Sequence, residues 1–235
     1  MTISTELEQL QSGQVFLIDK PLEWTSFNAV SKLKYLIKKK HKIKKIKVGH
    51  AGTLDPLATG LLIVCTGKFT KKINEFQAMP KTYTGTITVG ASTPSFDLET
   101  EIDKTIPYDD LTEEEIFAVA KSFEGEQLQV APQFSAKRIE GKRAYDYARK
   151  GEKVEIKANP ITIHAFKITN IDLPNINFEI KCSKGTYIRA IARDFGEKLN
   201  NVAHLTALRR TEIGNFKVET AISIDELEQL FKNAH

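Results

Sequence analysis

The sequence predicts an α+β fold, on three observations. Helical periodicity marks a few separate segments: Phe27, Val30, Leu33, Leu36 and Ile37 share one face over residues 27 to about 38, and Ile116, Val119, Ala120 and Phe123 share another. Period-two alternation marks others, most clearly residues 81–89, where Tyr83, Gly85, Ile87 and Val89 alternate with threonines. Three β-rich runs, VEIKA, ITIHAFKITNI and INFEIKCS, then follow one another over residues 154–183, separated by Pro160 and Pro174.

Composition bounds the function. At 235 residues, with no Pro/Gly/Ser-rich linker, the chain reads as one domain, residues 1–235. A hydrophobic fraction of 41% and a charged fraction of 27% are those of an ordinary soluble protein. No apolar run approaches membrane-spanning length, and MTISTELEQLQSG lacks the basic-then-apolar order of a signal peptide, so no membrane association is expected and the cytoplasm is the expected compartment. Cys65 and Cys182 lie far apart in apolar segments, which suits reduced core thiols, and no zinc spacing is present, so no metal is expected. The net charge of +4 is modest, and its distribution carries more than its total.

Taken in order, residues 14–18 form a strand that runs into Asp19, Lys20 and Pro21, where the proline ends the ladder. Ser26 is positioned to cap the first amphipathic helix. That helix dissolves into Lys38, Lys39, Lys40, His41, Lys42, Lys44, Lys45 and Lys47, a run that is either a solvated segment or a surface that concentrates a polyanion. Residues 48–67, VGHAGTLDPLATGLLIVCTG, follow. Pro56 biases Asp55 toward extended dihedrals, so the carboxylate sits on a stiff turn, and residues 61–65 read as a strand covered on both faces. Alone, an Asp-Pro pair simply starts a turn.

A short helix over residues 70–76 precedes the 81–89 strand. Thr112 with Glu115 is a capping box. Residues 127–151 interleave Lys137, Arg138, Lys142, Arg143, Arg149 and Lys150 with Phe134, Tyr145 and Tyr147, which suits either an RNA surface or a helix with inward tyrosines. The β-rich runs lead into CSKGTYIRAIAR and then HLTALRRTEIG, and Ser223 with Glu226 is a second capping box.

GHAGTLDPLATGLL resembles the catalytic motif of the TruB family of tRNA pseudouridine synthases. DKPLEWTS resembles the family's first motif, with Glu23 where glycine is usual, so a different turn shape is expected there. The resemblance implies a pseudouridine synthase fold: a central, mostly antiparallel sheet with flanking helices and an insertion at about 127–151 that closes on RNA. It implies that Asp55 is the catalytic carboxylate, that Tyr83 stacks on the target base, and that Arg189 in CSKGTYIRAIAR pins the ionised Asp55. It further implies that Lys20 shapes the site floor, that His50 occupies the space left by a flipped nucleotide, and that Tyr187 and Leu208 touch the substrate. Lys137, Arg138 and Arg143 are implied to grip RNA. Thr93 and Asp97 fit a further family motif, whereas Pro94 and Phe96 stand where a carboxylate is common. The chain ends without room for the C-terminal PUA domain of many relatives, so none is expected.

The implied reaction isomerises uridine to pseudouridine at position 55 in the T arm of tRNA. It breaks the bond from ribose C1′ to N1 and joins C1′ to C5, with no redox change, so no cofactor is expected. Asp55 either attacks C1′ or takes a ribose proton; both routes stay open. Either needs an extruded uridine. The expected partner is tRNA, with no obligate protein partner. A glycosidase would need a second carboxylate with comparable context, and a non-catalytic RNA-binding or tRNA-folding helper would not need Asp55.

Overall fold

The computed structural model describes residues 3–135, 137–139, 141–152 and 154–233. In chain order its elements are α1 (Leu7–Ser12), β1 (Val15–Lys20), α2 (Ser26–His41), β2 (Val48–His50), β3 (Ala58–Thr66), a 3₁₀ turn (Gly67–Lys72), α3 (Ile73–Ala78), β4 (Lys81–Val89), β5 (Ala91–Ser92) and β6 (Lys104–Thr105). There follow α4 (Glu113–Ser122), β7 (Gly125–Gln129), β8 (Arg138–Ile139), β9 (Lys142–Arg143), α5 (Ala144–Ala148), β10 (Asn159–Asp172), β11 (Asn175–Cys182), α6 (Ile188–Lys198), β12 (Ala203–Ile213), β13 (Phe216–Lys217) and α7 (Ile224–Asn233). This is the expected α+β class, with a mostly antiparallel sheet. The chain forms two compact units, Met1–Tyr83 with Arg209–His235, and Thr84–Leu208.

In the first unit the strand order is β1-β3-β12, with β2 on β3 and β13 on β12. β1 and β3 run antiparallel from Val15 opposite Cys65 to Lys20 opposite Gly60. β3 is buried on both faces, as its continuous apolar run predicts. Leu62 and Val64 point into a core with Phe16, Ile18, Leu33 and Ile37 and with Leu227 and Phe231 of α7. Leu61, Ile63 and Cys65 point the other way, among Ile213, Val218 and the partly buried Phe69, Ile73 and Phe76. Each such side chain stabilises the fold by about 1.5–3 kcal/mol. Cys65 and Cys182 are buried and form no disulfide among the described residues, and burial pushes the Cys65 thiol up to about 11.

The second unit orders its strands β12-β4-β11-β10-β7. Phe123, Phe166, Phe178 and Phe195 form its aromatic centre, with ring centroids 5.7–6.3 Å apart. A smaller cluster of Ala131, Ala144 and Ile156, with Val154 and Tyr187 against it, underlies the basic segment.

Four local expectations shift. Thr25, not Ser26, caps α2, because Asn28 reaches back to the Thr25 backbone and completes a capping box. The helix continues through the lysines to His41, since lysine is a good helix former and its charge suits a helix C-terminus. VEIKA is not a strand: the Val154 backbone bonds the Gln133 side chain in both directions, at 2.7 and 3.3 Å, and strand pairing begins only at Asn159. The expected helix over 70–76 is instead a 3₁₀ turn followed by α3. Both capping boxes, Thr112 with Glu115 and Ser223 with Glu226, form. No described helix is long and apolar enough to cross a membrane.

Candidate active site

The Asp55 loop joins β2 to β3 within the first unit, and four backbone attachments hold it. The Ala51 amide donates to the Ile63 carbonyl at 2.8 Å, and the Ala58 amide donates to the Asp55 carbonyl at 3.1 Å, closing a turn with proline at its second position. The fully buried Ser26 hydroxyl accepts from the Leu54 amide at 2.8 Å and donates to the Leu54 carbonyl at 3.2 Å. The Glu23 amide donates to the Pro56 carbonyl at 2.9 Å. Glu23 itself has φ of 64°, the left-handed region that favours glycine, so the turn keeps its glycine-like shape although the residue differs. At Gly60 a Cβ would lie 2.3 Å from the Arg210 carbonyl oxygen, so β3 meets β12 closely there only because the residue is glycine.

Two buried cations lie around this loop. Lys20 ends β1 fully out of solvent, its ammonium donating to the carbonyls of Pro21, Trp24 and Pro56. Burial pushes its pKa down from 10.5 to about 8, against the upward pull of the Asp55 carboxylate and with a further downward push from Arg210. Arg210 is 1% exposed; its Nε donates to the Leu61 carbonyl at 2.8 Å and its Nη2 to the Gly52 carbonyl at 3.2 Å. Arg210 carries no signal of a role in the sequence. His50 is half-buried, with a buried Nδ1 that has no hydrogen-bond partner among the described residues. Its pKa is lowered, first by burial and then by Arg210, while a backbone hydrogen bond at Gly52 opposes them, so the ring is neutral near pH 7. Beside Lys20, Asp19 accepts a two-pronged bond from Arg209, at 3.0 and 2.7 Å. Tyr83 is 8% exposed in β4. The first unit thus gathers Lys20, His50 and Asp55 around one rigid turn, with Arg210 beneath it.

In the second unit Arg189 is buried on the first turn of α6 and held by three partners. Its Nε lies 3.4 Å from the Asp97 carboxylate, its Nη1 donates to the Ser95 carbonyl at 3.1 Å, and its Nη2 donates to the Phe134 carbonyl at 2.9 Å. Asp97 is 5% exposed and also accepts from the Glu99 amide at 2.9 Å. The 93–97 segment therefore orients this arginine, a role its residue types do not announce. Phe96, at φ of 60°, makes the sharp bend that turns Ser95 and Asp97 inward. Gln129 fixes Tyr187: its side-chain amide donates to the Tyr187 carbonyl at 3.1 Å and accepts from the Tyr187 amide at 2.9 Å. Leu208 is half-buried in β12. Of the expected RNA-gripping residues, Lys137 donates to the Lys157 carbonyl, while Arg138 and Arg143 face each other as backbone partners in the β8-β9 hairpin. Their side chains lie outside the described residues.

Chemically, the first unit presents one carboxylate on a braced turn in a positive field, which suits attack on an electrophilic carbon or removal of a proton. No cluster of three or more metal-ligating side chains occurs among the described residues.

Known proteins resolve what this geometry belongs to. The family description TruB family pseudouridylate synthase (N terminal domain) matches residues 38–188, and tRNA pseudouridylate synthase B C-terminal domain matches 189–235. A protein of Flavobacterium johnsoniae named tRNA pseudouridine synthase B is 56% identical over 223 residues, 94% of this chain and 97% of that one. One of the same name from Phocaeicola vulgatus is 52% identical, covering 93% of each. Among solved structures, an archaeal box H/ACA sRNP Nop10-Cbf5 complex contains a chain similar with a TM-score of 0.67 at 26% identity; 94% of this chain matches, across 54% of that one. A Cbf5-Nop10-Gar1 complex gives a TM-score of 0.68 at 26% identity, over 94% of this chain and 60% of that one. With its braced aspartate loop inside the matched region, the chain belongs to the TruB family of pseudouridylate synthases and is an isomerase.

Proposed function

We propose that the chain converts uridine to pseudouridine at position 55 in the T arm of tRNA, with Asp55 as the catalytic carboxylate, in the cytoplasm, and that residues 1–235 act as one catalytic domain. The observation that carries the proposal is the Asp55 turn itself, braced by Ser26, Ala51, Ala58 and Glu23 and flanked by two buried cations, in a chain whose relatives named tRNA pseudouridine synthase B match over nearly their whole length. Asp55 acts on the ribose, C1′ parts from N1, the base turns, C1′ joins C5, and the C5 proton leaves while N1 gains one. The aspartate attacks C1′ in one route and takes a ribose proton in the other.

Tyr83 stacks on the extruded base, with Leu208 and Tyr187 at the substrate and His50 in the space the nucleotide leaves. Arg189 pins Asp55; a guanidinium has five donors, so one group can serve Asp97 and a second carboxylate. Lys137, Arg138 and Arg143 hold the RNA backbone.

The test is tritium release from a tRNA transcript labelled at uridine C5. The wild type should release label, and Asp55→Ala should release none while binding tRNA within a few fold of wild type. Normal release by that variant would remove the mechanism, and no release by the wild type would leave a binding or folding helper.

A further inference from the structure

A second basic site lies in the first unit, at the far end of β3 from Asp55. Residues 26–72 contain twelve lysines and one acid, Asp55, in a chain whose total charge is only +4. Two of these lysine groups are remote in sequence, the run ending at Lys47 and the trio Lys68, Lys71 and Lys72 on the 3₁₀ turn. The fold joins them. β2 pairs with the end of β3, Val48 opposite Thr66, and the Gly67 amide donates to the Lys47 carbonyl at 2.9 Å.

The junction is a pocket of about 320 Å³ lined by Gln11, Ile46, Lys47, Gly67, Lys68, Thr70 and Lys71. Its frame is stiff. Gly67 adopts φ of +52°, and a Cβ there would come 2.1 Å from the Gln11 carbonyl oxygen, so the end of α1 presses directly on the turn. The Thr70 hydroxyl donates to the Gly67 carbonyl at 2.8 Å, and the Thr66 amide to the Gln14 carbonyl at 2.9 Å. Lys47, Lys68 and Lys71 are exposed, and none joins a salt bridge among the described residues. Three like charges brought around one concavity repel each other and favour an anion between them.

We propose that this pocket binds a backbone phosphate of the RNA, away from the nucleotide that reacts, an inference that rests on the reading of the chain as a tRNA-modifying enzyme. A backbone phosphate fits better than a sequence-read base, because lysines supply ammonium groups as point charges rather than a planar, bidentate donor. Distance sets which phosphate. β3 has nine residues, and at about 3.3 Å each its two ends are roughly 27 Å apart. That span corresponds to several base pairs of a nucleic-acid helix, more than the reacting nucleotide and its immediate neighbours cover. The pocket therefore grips a phosphate beyond the reacting hairpin, on a neighbouring arm of the tRNA, adding affinity and register without touching the chemistry.

The test replaces the three exposed lysines together, Lys47→Gln with Lys68→Gln and Lys71→Gln, and compares full-length tRNA with a short T-arm hairpin across a salt series. For tRNA the variant should show KM about tenfold higher, kcat within twofold of wild type, and a log-log salt slope shallower by about one unit or more. The hairpin should be handled within twofold of wild type. A matched variant in the second unit, Lys104→Gln with Lys167→Gln and Lys181→Gln, should leave the tRNA slope near wild type. Unchanged tRNA affinity and slope in the pocket variant would overturn the proposal, and equal losses on tRNA and hairpin would overturn its assignment to a remote phosphate. Failure of the wild type to bind or modify tRNA would instead sink the underlying functional reading. Melting curves matching wild type establish that the variant is folded.

Discussion

Glu23 shows how a single side chain can be at odds with the backbone it occupies. Its φ of 64° costs a residue with a Cβ about 1–2 kcal/mol, part of which glycine would return as greater freedom in the unfolded chain. Glu23→Gly should raise stability by up to about 1 kcal/mol, read from the urea midpoint; a lower midpoint would mean that the glutamate side chain makes a compensating contact. Lys20 makes a prediction of a different kind. With its pKa near 8, its charge is present below that pH and is lost as the pH rises through it, which removes a cation from beside Asp55. Activity should fall on the basic side with a midpoint near 8, and Lys20→Met should be slower throughout and lack that limb. Between about 8 and 10.5 the unfolded chain binds the lysine proton while the native state does not, so this group adds stability as the pH rises there. Loss of activity in that window would therefore report lost charge rather than unfolding caused by Lys20. Arg210 was illegible in the sequence because one arginine of a pair in a strand carries no local signal. Only pairing across 149 residues brings its Nε to the Leu61 carbonyl.

At the level of elements, α2 links core and chemistry. Its apolar face packs on β1 and β3, while Ser26 at its first turn grips Leu54, the neighbour of Asp55. Ser26→Ala would strand a buried amide and carbonyl at a cost of about 1–3 kcal/mol. Because the turn would then drift, kcat should fall by roughly 10–100-fold with KM little changed. A rise in KM at constant kcat would show that the loop binds substrate rather than positions the reacting group. Elements defined by nearest neighbours were readable in advance. The Thr112 and Ser223 capping boxes and the two-faced β3 follow from residues a few positions apart. VEIKA misled because β-branched residues favour a strand, but strand pairing begins only at Asn159, and side chains take backbone groups of the run instead, Gln133 at Val154 and Lys137 at Lys157. Ser26 misled because serine and threonine both cap helices, and the choice between them falls to Asn28.

Over the whole molecule, the motif loops are where the sequence names candidate site residues, and the polar scaffolding behind them carries little signal. Asp55, His50 and Lys20 were named from strings that stay contiguous in the fold. Asp97 and Ser95, which orient Arg189, lie more than 90 residues from it and were visible only as a partial motif. Charge follows the same division: the lysines cluster in one run and one turn in the sequence, but only the β2-β3 pairing reveals that they meet.

Lys20 and Arg210 are withdrawn from water by the protein's own packing, before any RNA arrives. The penalty for dehydrating two positive groups is therefore met once, when the chain folds, and is not charged again at each turnover. On the proposed reaction, a ribose that approached Asp55 would enter a field whose dipoles have little left to reorganise, which is how a fixed scaffold lowers a barrier that liquid water, with its freely turning molecules, leaves high.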